Sequence, residues 1–316
     1  IKHSTANFGE QRAAKKLGIT MKAMGDGFTW RSKDLDQSAE LARDLAMTTI
    51  PFCGYTEMEK SNISSKSGKL FTLNGLKQAN RALLGKCIKD GLAKDIELRY
   101  NSNGVEWRDD LFDLWKHFKL VRFHYSVDSV FEMNEYIRYP SIWERTKEVF
   151  HILDKETSDN VEVTVACAVQ ALNIHYIPDF IKWKMEEKFN KINMWPFGAG
   201  LINYHFVYHP PHLNVKVLPK WFKQKTREKY QEFYKWLEDN WELAVPSWHK
   251  GKVTYEDWRQ DSYGIKRLEG MLQFMESEDW SVRLPEMKEF LQLCDTQRKL
   301  TFEETFPEMK GIFNGN

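Results

Sequence analysis

The sequence predicts an α/β protein: a partial (β/α) barrel of the TIM type, with parallel strands and a helical C-terminal cap. Three observations carry that prediction. Between residues 70 and 200, short runs rich in β-branched and aromatic residues alternate with helix-like stretches. Strand starts recur every ~25–40 residues, which leaves room for the helical crossover that parallel neighbours need. Beyond residue 200 the strand-like runs give way to long amphipathic patterns.

Taken in order, residues 1–69 form a leader. Within it RSKDLDQSAELARDLAM predicts a helix, with Leu35, Leu41 and Leu45 at helical spacing, and the polar stretch EMEKSNISSKSGK predicts a loop. The core spans 70–200. KLFTL is a short strand, and LKQANRALLGKCIKDG a helix closed by Gly91. DIELRYN is the next strand and VEWRDDLFDLWKHF the next helix. KLVRFHYSVD is a strand, followed by the helix PSIWERTKEVFHIL, which starts near Pro140 and Ser141. NVEVTVACAVQ is a strand, IPDFIKWKMEEKF a helix, and KINMWPF a fifth, shorter strand. The region 201–316 opens on a loop, YHFVYHPPHLNVKVLPKWF, carrying Pro210, Pro211 and Pro219. The helices REKYQEFYKWLEDNWEL, IKRLEGMLQFMES and LPEMKEFLQLCDTQRKL then form a cap that shares its packing with the core.

Composition removes several function classes. The chain has 46 basic against 45 acidic residues and a net charge of +1, so no bulk field draws it to nucleic acid or to an anionic membrane. No run approaches the ~18 apolar residues of a membrane span, and no signal peptide is visible. The first residue is Ile1 rather than Met, which leaves room for an upstream piece. Cys53, Cys87, Cys167 and Cys294 lie far apart, with no C-x2-C or C-x3-C spacing. Cys87 and Cys167 sit in apolar runs and read as small buried hydrophobes, which fits a reducing, cytoplasmic compartment. The 12 Trp and 20 Phe read as core and helix surface. His205, His209 and His212 have a spacing that suits a metal, but no carboxylate accompanies them, and no metal site is predicted. KWFKQKTREKY, basic with interleaved aromatics, reads as a solvated helix face. No G-x-S-x-G, Walker or G-x-G-x-x-G motif occurs.

Seven phrases carry a resemblance: LRYNSNG, FHYSVDS, EYIRYPSIWE, VTVACAVQALNIHYIPDFIKW, NMWPF, HLNVKVLP and FLQLCDTQRKLTFEETFPEM. In this order, over roughly residues 70–310, they resemble radical S-adenosylmethionine enzymes with a C-terminal twitch (shortened SPASM) region, of the phage and bacterial type. The segment ARDLAMTTIPFCGYTEMEKSNISSK resembles the piece that precedes the barrel in some phage members. The resemblance implies S-adenosylmethionine and a [4Fe–4S] cluster as cofactors. It also implies a 5′-deoxyadenosyl radical that abstracts hydrogen from a peptide, saccharide or nucleotide-linked substrate.

The resemblance also implies positions. Asn101, Ser102 and Asn103 end one strand at the barrel mouth, and Ser126 and Asp128 end the next, near the cofactor ribose. Arg138 matches an arginine that approaches the cofactor carboxylate, and Gln170 and Pro196 end the later strands. Asn74 and Gly75 supply a turn where the family carries Gly-Gly-Glu-Pro, whose Glu and Pro are missing here. Ser129 stands where the family has Gly. The C-x3-C-x2-C triplet is absent, so the cluster is not expected to bind this chain as given. A segment bearing the first strand and the cluster loop would be missing near Leu73–Lys77. No catalytic residue can therefore be named. The alternative is a degenerate, cluster-free homologue acting as a binding or scaffold module, phage-encoded, with a protein partner. Each position also has a plainer reading: an ordinary turn for Asn-Ser-Asn-Gly, a helix cap for Asp128, and a surface pair with Glu135 for Arg138.

Overall fold

The computed structural model describes residues 22–24, 27–29, 49–53, 84–104, 110–156, 158–192, 202–244, 251, 254–260, 265–298 and 300–314. The predicted helix at 31–47, the strand KLFTL, Asn74, Gly75 and Pro196 fall outside these residues. The α/β class is observed, with parallel strands and helices between and after them. The chain divides into two units, residues 1–125 with 156–163, and residues 126–155 with 164–316.

In the first unit, β1 (Lys22–Met24) and β2 (Gly27–Thr29) form an antiparallel pair. Strand β3 (Thr49–Cys53) lies parallel to β4 (Glu97–Ser102), which lies parallel to β5 (Leu120–Ser126). None of β1, β2 or β3 was anticipated from the sequence. Before β4, a helical run at 84–89 ends where Gly91 takes φ +71°, in the left-handed region that glycine enters freely. Along β5, Val121, Phe123 and Tyr125 are buried and their neighbours are half-exposed, the period-two pattern of a strand packed on one face. The short helix α1 (Leu111–Trp115) seats Trp115, fully buried, against Phe123 at 5.5 Å between ring centroids. Of the predicted VEWRDDLFDLWKHF helix, residues 105–109 lie outside the described ones, and these five form the helix among the rest.

The first unit is closed by residues that arrive late in the chain. Asn160 donates its side-chain amide to the carbonyls of Trp115 (2.9 Å) and Phe118 (2.7 Å). Its own carbonyl accepts the Val121 N–H at 2.7 Å. Arg122 stands between Glu97 (2.5 Å) and Glu162 (2.8 Å), so its charge is matched on both sides. That arrangement offsets the opposition of Arg99 and Arg122 in the β4–β5 register.

In the second unit, β6 (Val161–Val169) continues beyond Val163 and pairs in parallel with β7 (Asn203–Phe206). β6 buries six of its nine residues and leaves none fully exposed, as expected of a strand covered on both faces. Two helices precede its end, α2 (Phe131–Ile137) and α3 (Trp143–Asp154), and α4 (Ile177–Glu186) follows it. Trp143, Phe150, Trp183 and Phe189 stack on one another between α3 and α4, with centroids 4.9–5.8 Å apart. Of the predicted strand KINMWPF, Lys191 and Ile192 stand in a turn, where Asp154 accepts the N–H groups of Asn190, Lys191 and Ile192, and the other five residues lie outside the described ones. The strand Asn203–Phe206 was not anticipated and overlaps the start of the stretch read as a loop.

The C-terminal helices follow the sequence pattern closely. Helix α5 (Lys220–Asn240) buries Phe222, Thr226, Tyr230, Phe233 and Leu237, one apolar stripe at helical spacing. After α6 (Tyr255–Gln260), α7 (Ile265–Glu276) buries Ile265, Leu268, Met271, Leu272 and Met275. Helix α8 (Leu284–Gln297) buries Met287, Leu291 and Cys294. The last piece, α9 (Phe302–Thr305) with the turn Pro307–Met309, buries Phe302, Phe306, Met309 and Ile312. No helix among the described residues is long and apolar enough to cross a membrane.

Two residues stand against their surroundings. Phe131, at the start of α2, has φ +53°, which costs an L-residue about 1–2 kcal/mol. Lys184 on α4 is 1 % exposed and donates to the Ile192 carbonyl at 2.9 Å. Burial lowers its ammonium to about 7, with Asp154 opposing the shift. The unfolded chain therefore holds a proton between pH 7 and 10 that the folded chain lacks, and stability rises with pH across that window. The rise should reach up to roughly 4 kcal/mol at about 1.4 kcal/mol per unit. Chemical denaturation of Lys184→Met at pH 7, 8.5 and 10 should show most of that slope removed; an unchanged slope would place its source elsewhere.

Candidate functional site

The densest buried polar cluster lies where β5 and β6 end, in the second unit. Parallel strands that stop together leave backbone N–H and C=O groups in need of partners, and a buried group without one is costly. Asp128, 4 % exposed, sits at the centre of the partners that meet this need. Its Oδ1 accepts the Ala168 N–H at 2.7 Å. Its carbonyl accepts the side chain of Asn173 at 2.9 Å and the thiol of Cys167 at 3.6 Å. Asn173, fully buried, also donates to the Ala168 carbonyl (3.0 Å) and accepts the Gln170 N–H (2.8 Å). Asn134 accepts the N–H groups of Asp128 (3.1 Å) and Ser129 (3.4 Å), so a side chain of α2 closes the turn out of β5.

Arg138 completes this hub. Nη2 donates to Asp128 Oδ1 at 3.1 Å, while Nε lies 2.8 Å from Oδ2, close enough for ion pairing but not aligned for a hydrogen bond. Arg138 is thus committed to Asp128 and not to Glu135, which accepts the Trp143 N–H at 2.6 Å. Nor is Asp128 a helix cap, since α2 is preceded by Val130. Burial, reinforced by the charge of Asp128, raises the Cys167 thiol far above its ordinary range, so it stays protonated and is a poor nucleophile or ligand. Ser126 and Gln170 lie at the same strand ends, Ser126 half-buried and Gln170 buried. Asn101, Ser102 and Asn103 belong to the first unit, where the Ser102 hydroxyl accepts the Gly104 N–H at 3.1 Å and Gly104 takes φ +65°. That is turn geometry.

A second cluster was not anticipated. His175, fully buried, has its Nδ1 3.0 Å from the Thr226 hydroxyl and its Nε2 2.5 Å from Glu308. A neutral ring satisfies both partners when Nε2–H donates to the carboxylate and Nδ1 accepts the hydroxyl. Lys229 bridges Glu308 (3.2 Å) and Asp179 (2.6 Å), and Lys225 donates to the Glu308 carbonyl at 3.1 Å. The atom order hydroxyl, imidazole, carboxylate is that of a nucleophilic triad. Thr226 and His175 are both 0 % exposed, however, so the cluster fixes the C-terminal turn to α5 rather than meeting a substrate. Burial holds His175 below its usual value against the pull of Glu308. Burial pushes the Glu308 carboxyl up, but the His175 bond and Lys229 outweigh it and the net shift is downward.

Elsewhere the expected ligands are dispersed. His205 and His209 are exposed, and His212 packs on Phe290 and lies 4.0 Å from Glu286. Among the described residues no group of three or more His, Cys, Asp or Glu could hold a metal ion. The cations of KWFKQKTREKY are largely spoken for. Lys223 donates to the carbonyls of Lys216 and Glu278, Arg227 pairs with Glu276, and Lys225 and Lys229 pair with Glu308.

Two outcomes follow from these clusters. Asp128→Asn should lower stability by about 3 kcal/mol in urea denaturation, because it strands Arg138 beside a buried amide; a loss under 1 kcal/mol would remove Asp128 from its central place. The His175 contribution is present above pH 6.5 and is lost as pH falls through its depressed value, and that of Glu308 is lost below pH 4.5. Melting temperature should therefore decline from pH 6.5 downward, and His175→Gln should flatten the upper part of the decline.

Comparison with known proteins points away from the family that the phrases suggested. A family model described as DndB, DNA-sulfur modification-associated, matches residues 29–121. No curated protein and no solved structure matches the chain. The match corrects the radical S-adenosylmethionine resemblance, the hydrogen-abstracting function drawn from it, and the degenerate-homologue alternative. The iron–sulfur, S-adenosylmethionine, twitch and phage attributes lose their support with it. The physical reason is local. LRYNSNG, one of the seven phrases, lies inside the matched segment, and its polar residues build a strand-end turn of a kind that parallel sheets need in many families.

Proposed function

We propose that this chain takes part in DNA-sulfur modification as an accessory protein, acting through its first unit. The single observation that carries the reading is the match of residues 29–121 to the family described as DNA-sulfur modification-associated. The matched segment lies wholly within the first unit and includes β3, β4 and α1. Cysteine chemistry supports an accessory role over a sulfur-carrying one. A sulfur carrier needs a reactive thiolate. Among the cysteines whose side chains are described, burial pushes the Cys87 thiol up to about 11 and also raises Cys167 and Cys294. The near-neutral charge, 46 basic against 45 acidic residues, favours association with the modifying proteins over non-specific binding along DNA.

The test is made in a host that incorporates sulfur into its DNA. Deleting the gene for this chain should change the sulfur content of nuclease-digested DNA, read by mass spectrometry, at least twofold. The full chain should restore the original level, and so should a variant with Cys53, Cys87, Cys167 and Cys294 replaced by Ala or Ser. Sulfur content that is the same with and without the chain would sink the reading. Restoration by the full chain but not by the cysteine variant, with that variant folded, would replace the accessory role with a sulfur-carrying one.

A further inference from the structure

The corner between α2 and α3 combines three features that no part of the reading above uses. Phe131, Tyr139 and Ile142 are 46, 53 and 63 % exposed, three large apolar side chains within twelve residues. Single exposed apolar residues are ordinary, but a cluster of them marks an interaction surface. Phe131 is also held at φ +53°, a conformation that a bulky aromatic residue rarely adopts. Its ring lies 5.4 Å from Trp143, which in turn meets Trp183 edge to face at 4.9 Å. The strained residue therefore rests on a rigid aromatic base while its outer face stays open, as strain retained at functional positions does.

The rim of this corner has a definite sign. Arg138 is taken by Asp128, Arg145 by Glu148 and Lys147 by Glu187. Glu135 is occupied by the Trp143 N–H. Glu132 and Glu144 are exposed and form no ion pair among the described residues. Among the described residues, two carboxylates beside the open apolar side chains thus carry no ion pair, while Arg138, Arg145 and Lys147 are each paired elsewhere. Such a rim repels an anionic lipid surface and the phosphates of nucleic acid, and it attracts lysine and arginine.

We propose that the α2–α3 corner is a docking surface for a protein segment that presents large apolar side chains flanked by basic residues. The proposal does not depend on the association with DNA-sulfur modification. Phe131 and Ile142 supply the apolar anchor and Tyr139 an aromatic edge with a polar tip, a composition common at binding hot spots. Glu132 and Glu144 select the sign of the partner.

The test uses the full chain and two fluorescently labelled amphipathic helical peptides of equal length and leucine spacing, one with lysine and one with glutamate at its polar positions. The lysine peptide should bind in anisotropy titrations and the glutamate peptide should not. Tyr139→Ser with Ile142→Ser should weaken binding roughly tenfold, and Glu132→Lys with Glu144→Lys as much, all with unchanged melting temperature. Phe131→Gly, which relieves the backbone, should keep the melting temperature and lose the peptide. Equal binding of both peptides, or full binding by the Glu132→Lys/Glu144→Lys variant, would overturn the proposal. So would partition onto anionic vesicles, or a concentration-dependent dimer that Ile142→Ser abolishes, because a lipid surface or a second copy would then be the occupant.

Discussion

The ends of two parallel strands have to be sealed, and in the second unit Asp128, Asn173 and Asn134 share that sealing. Asp128 binds the backbone of Ala168 through its side chain and, through its carbonyl, receives Asn173. The turn out of β5 and the turn out of β6 are thus tied to each other at side-chain precision. Asn173 lies two residues before His175, so the orientation of the hub also sets where that ring enters the interior. A buried ion pair such as Asp128–Arg138 adds little net stability over a well-packed apolar pair. Its value lies in register: a slip of β6 by one residue would present a different amide to Oδ1.

Burial, more than residue type, decides what the polar clusters can do. Thr226, His175 and Glu308 have the atoms of a proton relay, yet the hydroxyl and the ring are sealed and the carboxylate is held by lysines. The same logic applies to the aromatic-rich basic helix α5. Its cations look like a patch in one dimension, but in three they meet Glu276, Glu308, Asp179 and backbone carbonyls. A charge already paired at hydrogen-bond distance has little left for a phosphate.

Legibility followed the range of the interactions. Strands β4, β5 and β6 and the helices α3, α4, α5, α7 and α8 were visible because their apolar spacing has a period of two or about 3.6. Strand β7 was hidden: its four residues are half-exposed to exposed, without alternation, and a proline pair follows closely. The turn at residues 190–192 was hidden for another reason, since its organiser, Asp154, sits 36 residues upstream. Asp128 and Arg138 were found as a strand-end pair of interest, but with the wrong partners, because a phrase records local grammar and not what lies across the sheet. Asn173, Asn134 and the His175–Glu308 bond, which spans 133 residues, carried no local signal at all.

The family match ends at Val121, and the architecture explains why residues 29–121 alone would be an incomplete fold. The last carbonyls of α1 and its following turn, those of Trp115 and Phe118, are satisfied by the side chain of Asn160. The Val121 amide is satisfied by the Asn160 carbonyl, and the neighbouring Arg122 by Glu162. All three partners come from residues 156–163, which the chain returns to the first unit after an excursion through α2 and α3. Cutting at residue 121 would leave two helix-end carbonyls and a strand amide open, each costing about 1–3 kcal/mol if buried. The first unit is complete only with Asn160 and Glu162 in place, so its structural boundary lies near residue 163 rather than at the end of the matched segment.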